Sequence, residues 1–194
     1  MDYGACVNLS VVNEETPLHF AASNGNTDSI EWLLEQGADV GALDIENRTP
    51  LHAAAYQGDS SAVELSIQYG ADLHLPDNKG WLPFHLAAVS KFRHACRVLV
   101  FNGSDVAAVD KKGRTARHLA TKYGDKETVD ILLYHGSEIN ARDVNGETVL
   151  GVRNEGSRHG LSYCWPSGSS FIQLYLDKQG DTRVVDAVTG GTTL

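Results

Sequence analysis

One spacing constrains this chain more than any other feature: a four-residue motif returns every 33 residues. Thr16-Pro17-Leu18-His19 reappears as Thr49-Pro50-Leu51-His52, as Leu82-Pro83-Phe84-His85 and as Thr115-Ala116-Arg117-His118. A weaker copy, Thr148-Val149-Leu150-Gly151, stands one step further on. Other columns keep the same phase: Gly4, Gly37, Gly70, Gly103 and Gly136, and Asp44, Asp77, Asp110 and Asp143. Several independent columns sharing one period of this length imply repeated supersecondary units, each too small to bury its own apolar face, rather than a single globular core.

Each column has a physical reading. Thr followed by Pro is a helix start: the hydroxyl accepts from an otherwise orphaned amide, and Pro suits the first helical position. Leu18, Ala21 and Ala22 make one apolar stripe. The alanine pairs Ala21-Ala22, Ala54-Ala55 and Ala87-Ala88 let a neighbouring helix approach closely. Gly25, Gly58 and Gly124 end this short helix in the left-handed conformation, and Lys91 departs from the column. A second stripe, Ile30-Leu33-Leu34 in one copy and Val129-Leu132-Leu133 in another, marks a second helix, ended by Gly37 and its equivalents; Ser66 interrupts that stripe in one copy. The D-x-x-G segments "DNKG" and "DKKG" are turn chemistry. One unit is therefore helix, turn, helix and a hairpin-like finger.

The T-P-L-H, G-A-D and D-x-x-G-x-T motifs at this repeat length resemble the ankyrin repeat family, and the resemblance covers residues 2–151. It implies an all-α fold, an α-solenoid of stacked helix-turn-helix units with β-hairpin fingers along one edge. The phase divides the chain into a remnant of a preceding repeat and finger (1–15), four repeats (16–48, 49–81, 82–114 and 115–147), and a degenerate fifth repeat with an insertion over 148–194, ending at the start of a further repeat. The insertion is placed within 152–170, because Gly136 and Gly180 lie 44 residues apart, or one period plus 11. A rival reading pairs "FIQLYLD" with "TRVVDAV" as a β-hairpin. The incomplete units at both ends favour an origin in a larger regulatory protein, such as a ubiquitin-ligase adaptor, a channel or a signalling scaffold. An uncapped last unit is expected to fray from Val152 onward.

Composition removes several function classes. The formal charge is −9, which disfavours sequence-independent nucleic-acid binding. No apolar run reaches the length of a membrane span. Cys6, Cys96 and Cys164 are odd in number and far apart, so neither a disulfide scaffold nor a zinc site is expected, and a reducing compartment follows. The expected location is cytoplasmic, with the nucleus left open. The sequons at Asn8, Asn47 and Asn102 read as chance matches.

The histidines are the main chemical temptation. His19, His52, His85 and His118 occupy the repeat column, and the resemblance implies that they link neighbouring turns structurally. Layers stack at about 10 Å, too far apart for four histidines to share one metal. His159 and Cys164 lack a third orienting group. No phosphate loop or paired acid/base is present, so no catalytic, cofactor or metal site is expected, and catalysis by 152–194 is set aside.

The resemblance places partners on the concave face formed by the fingers and first helices. Its variable positions nominate Ile45 and Arg48, Lys79 and Trp81, Lys112 and Arg114 on the fingers, with Tyr56, Lys122 and Tyr123 on the first helices. Trp81 is either an interface anchor or a side chain packed on a neighbouring finger through Arg48 or Arg114. Lys79, Lys111, Lys112, Arg114, Arg117 and Lys122 cluster in an otherwise acidic protein and suit an acidic segment of a partner. The expected function is a non-catalytic, monomeric protein–protein interaction module.

Overall fold

The computed structural model describes residues 7–149, apart from Gly124 and Ile139. A single 3-10 turn at Val12–Glu14 precedes four helix pairs: α1 (Pro17–Ser23) and α2 (Thr27–Glu35), α3 (Pro50–Gln57) and α4 (Ser60–Gln68), α5 (Pro83–Val89) and α6 (Arg93–Phe101), α7 (Ala116–Tyr123) and α8 (Lys126–Tyr134). α1, α3, α5 and α7 pack in succession as one layer; α2, α4, α6 and α8 form the second, each against the first helix of its own pair. The result is an all-α repeat solenoid.

Helices of seven to nine residues are too short to persist alone. Packing holds them. Ala22, Ala54, Ala55, Ala87, Ala88 and Ala120 are fully buried, bringing neighbouring helix backbones close. Leu18, Leu51 and Phe84 fill one column between layers, each burial contributing roughly 1.5–3 kcal/mol. Ser66, the polar interruption of the second stripe, is buried at little cost because its hydroxyl donates to the Ala62 carbonyl at 2.8 Å.

The same column corrects the basic cluster expected from the sequence. Arg117 follows Leu18, Leu51 and Phe84 by the repeat phase and is only 2% exposed, so it belongs to the interior of the stack rather than to a surface patch.

Among the described residues the fingers are tight turns with isolated antiparallel bridges at Val109–Thr115 and Arg142–Thr148, and longer β-hairpin ladders are not shown. Each turn is closed by two backbone bonds: the aspartate amide donates to the carbonyl four residues on (Asp44 to Arg48, Asp77 to Trp81, Asp110 to Arg114, Asp143 to Glu147), and the aspartate carbonyl accepts from the amide three residues on (Asn47, Gly80, Gly113, Gly146), all at 2.9 Å. Inside each turn the aspartate carboxylate takes up further amides, as described below. The degenerate fifth repeat, its insertion, the rival hairpin and the expected fraying lie outside the described residues.

Candidate protein-binding surface

Each finger is organised by one aspartate, buried in the first three fingers and half-buried in the fourth. Asp44 Oδ1 accepts from the amides of Glu46 and Arg48, both at 2.8 Å. Asp77 does the same for Lys79 and Trp81, Asp110 for Lys112 and Arg114, and Asp143 for Asn145 and Glu147. The second oxygen holds a side chain: Arg48 Nε reaches Asp44 at 2.8 Å, and Arg114 Nε reaches Asp110 at 2.9 Å. Burial by itself would raise the carboxyls of Asp44 and Asp110. The hydrogen bonds from the arginine and the turn amides outweigh it and hold both below the usual aspartate range.

Successive fingers are stitched together. The amides of Ile45, Asn78, Lys111 and Val144 donate to the carbonyls of Asn13, Glu46, Lys79 and Lys112, at 2.9–3.1 Å. This close approach explains the turn glycines: a Cβ on Gly80 or Gly113 would stand 2.9 Å from the amide nitrogen of Lys111 or Val144, and both glycines have positive φ. The first finger uses Asn47 instead, at φ 58°, with its side-chain amide donating to Asn78 Oδ1 at 2.7 Å.

The histidine column closes the other side of each unit. The amide of Thr49 donates to His52 Nδ1 at 3.0 Å, so that nitrogen carries no proton. The proton therefore sits on Nε2, which donates to the Trp81 carbonyl of the next finger at 3.1 Å. His19 repeats the arrangement with Thr16 and the Arg48 carbonyl, at 3.1 and 2.9 Å. His85 receives the Leu82 amide at 3.2 Å but gains no hydroxyl partner, and its Nε2 lacks a bond of good geometry. Burial pushes His52, His85 and His118 below the ordinary histidine value. Among the described residues, no group of three or more His, Cys, Asp or Glu is placed to hold a metal.

The nominated surface residues divide by what they touch. Ile45, Tyr56 and Tyr123 are exposed. Lys79 and Lys112 are exposed, and Lys122 is half-buried. Arg48 is occupied by Asp44, with Glu46 beside it at 3.4 Å. Arg114 is bound to Asp110 at 2.6 Å. Trp81 packs on the neighbouring finger: its indole N–H donates to Asp110 Oδ2 at 3.0 Å, and its ring lies between Lys79 Nζ at 5.4 Å and the Arg114 guanidinium at 5.9 Å. The structure thus joins Lys79, Trp81, Arg114 and Asp110 into one two-finger cluster. Sequence reading missed Asp110 as the hub, although the aspartate column was visible. Its second role depends on Trp81 reaching across to the next finger.

The sequence profile for ankyrin repeats (three copies) matches residues 2–77 and 51–143, and the chain belongs to the ankyrin repeat family. Members of this family are generally protein–protein interaction modules and typically non-catalytic. No curated protein matches the chain. No helix among the described residues is long and apolar enough to cross a membrane.

Proposed function

We propose that the chain is a non-catalytic binding module that presents the finger and first-helix face to an acidic segment of a protein partner. One observation carries this reading. The finger aspartates are consumed internally, by turn amides and by Arg48, Arg114 and Trp81, whereas Lys79, Lys111 and Lys112 keep their charge on the exposed side with no ion pair among the described residues. Lys79 and Lys112 occupy the same position in adjacent fingers, each lending its carbonyl to the next turn, so the backbone fixes two cations in register about one repeat layer apart. Tyr123 and Lys122 extend the surface on α7. A rigid row of cations favours an extended carboxylate-rich ligand and speeds its encounter at low salt. The reading further places the protein in the cytoplasm as a monomer.

The test is fluorescence anisotropy with a labelled peptide of alternating Glu and Ser. Lys79→Glu combined with Lys112→Glu should abolish binding while the circular dichroism stays unchanged. Substitution of Trp81 or Arg114 is a poorer probe, because both hold the finger itself. Binding that survives the double charge reversal would move the site off the fingers.

A further inference from the structure

The face of the first helix pair remote from the second carries an open groove of about 580 Å³, lined by Val11, Pro17, Phe20, Trp32 and Leu33 among others. Phe20 is 45% exposed and Trp32 53%. Both are large apolar groups of the kind that anchor interfaces. By the repeat phase the positions equivalent to Phe20 are Ala53, which is half-buried, and Leu86 and Leu119, 6% and 1% exposed beneath the neighbouring helix layer. The groove therefore has the form of a seat that, elsewhere in the same molecule, a helix fills.

Charge selects the occupant. Residues 7–47 carry eight Asp and Glu side chains and no Lys or Arg, whereas residues 79–126 carry ten Lys and Arg against three Asp. Asp28, Glu31 and Glu35 project from α2 beside Trp32, and Glu14 stands on the turn before α1. All four are exposed and have no ion-pair partner among the described residues. We infer that this groove docks a basic amphipathic helix of another protein, with its apolar stripe on Phe20 and Trp32 and its Lys or Arg flanks against the acidic rim. A second copy of this chain is the poorer occupant. Its two basic helices, α6 with Arg93 and Arg97 and α7 with Arg117 and Lys122, already bury their apolar sides, through Ala95, Cys96 and Leu99 and through Ala116, Leu119 and Ala120.

This surface is distinct from the finger lysines and prefers the opposite charge, so the two readings fail separately. The probe is a fluorescein-labelled helical peptide of about five turns, apolar at i, i+3, i+4 and i+7 and otherwise lysine, titrated with the full chain. A control peptide carries glutamate in place of every lysine. The lysine peptide should bind, weaken with added salt and shift tryptophan emission to the blue. Trp32→Ala should abolish the emission shift. Glu31→Lys with Glu35→Lys should weaken binding at least tenfold. Lys79→Glu with Lys112→Glu should leave binding in place. Equal binding of both peptides, or no saturation by either, overturns the inference. So does sedimentation of the free chain as a dimer that Trp32→Ala dissolves, which would give the groove to a second copy.

Discussion

His52→Leu isolates the bond that ties one repeat to the next finger. The side chain is fully buried, and leucine nearly matches its volume, so little cavity is created. What disappears is the pair of ring nitrogens. The Thr49 amide, bound at 3.0 Å, and the Trp81 carbonyl, at 3.1 Å, lose their partners inside the stack. Each stranded buried group costs about 1–3 kcal/mol, so a loss of roughly 3 kcal/mol is expected, a large share of a typical domain's stability. His85→Leu is the internal control. It strands the Leu82 amide, held at 3.2 Å, and gives up only a poorly aligned contact of Nε2 with the Arg114 carbonyl, so the expected loss is about 1–2 kcal/mol. Urea titration followed by far-ultraviolet circular dichroism reads both, with equal m-values required for the comparison. Equal losses for the two variants, or a loss under about 0.5 kcal/mol for His52→Leu, would refute the argument that these histidines act through their two-sided hydrogen bonds.

Stability should fall as the pH drops below about 6.5, because burial lowers the folded-state values of His52, His85 and His118, so the unfolded chain takes up protons that the folded chain refuses. Each histidine contributes a slope of up to about 1.4 kcal/mol per pH unit, fully recovered above the unfolded value; a flat urea midpoint between pH 7 and 5 would count against it. Asp44 and Asp110 are lowered too, but from the aspartate range, so their contribution persists through that window and is lost only near and below the ordinary aspartate range. Gly58→Ala should cost more than Gly37→Ala, though both have positive φ, because a Cβ at Gly58 would lie 1.9 Å from the Phe92 ring while Gly37 faces open space; thermal melts of both variants decide it. Lys91→Gly should stabilise the chain by roughly 0.5–1 kcal/mol, since Lys91 holds φ 63° on the surface where its column otherwise has glycine, and an unchanged melting temperature would contradict the strain. The Cys96 thiol, buried and pushed up to about 12, should resist alkylation until urea unfolds the chain.

The legibility of the chain in its sequence varied from column to column. Thr16-Pro17 and Thr49-Pro50 announced helix starts because capping is local chemistry, requiring only the hydroxyl and the ring. Gly37 and Gly70 announced helix ends for the same reason: their φ of 85° and 89° is a property of the turn itself. Arg117 was misplaced for a different reason. Its charge argued for solvent, its phase argued for the Leu18–Leu51–Phe84 column, and the burial of that column by the neighbouring layer decided between them. The fingers were expected as hairpins because D-x-x-G marks a reversal. The reversal is there, held by Asp44, Asp77, Asp110 and Asp143, and pairing beyond it is limited among the described residues to bridges flanking the third and fourth turns.

The 33-residue phase by itself determined the repeat class, the order of helices and the positions of the turns, because caps, helix ends and turns are marked by local chemistry that recurs at that spacing. Trp81 shows what lay beyond it. Anchor and packed side chain were equally compatible with its place in the sequence. The stacking of one finger on the next brought Asp110 and Arg114, a full repeat away, to either side of the indole. Contacts between layers are not local, so only the tertiary structure decided which finger cations are held in ion pairs and which are not.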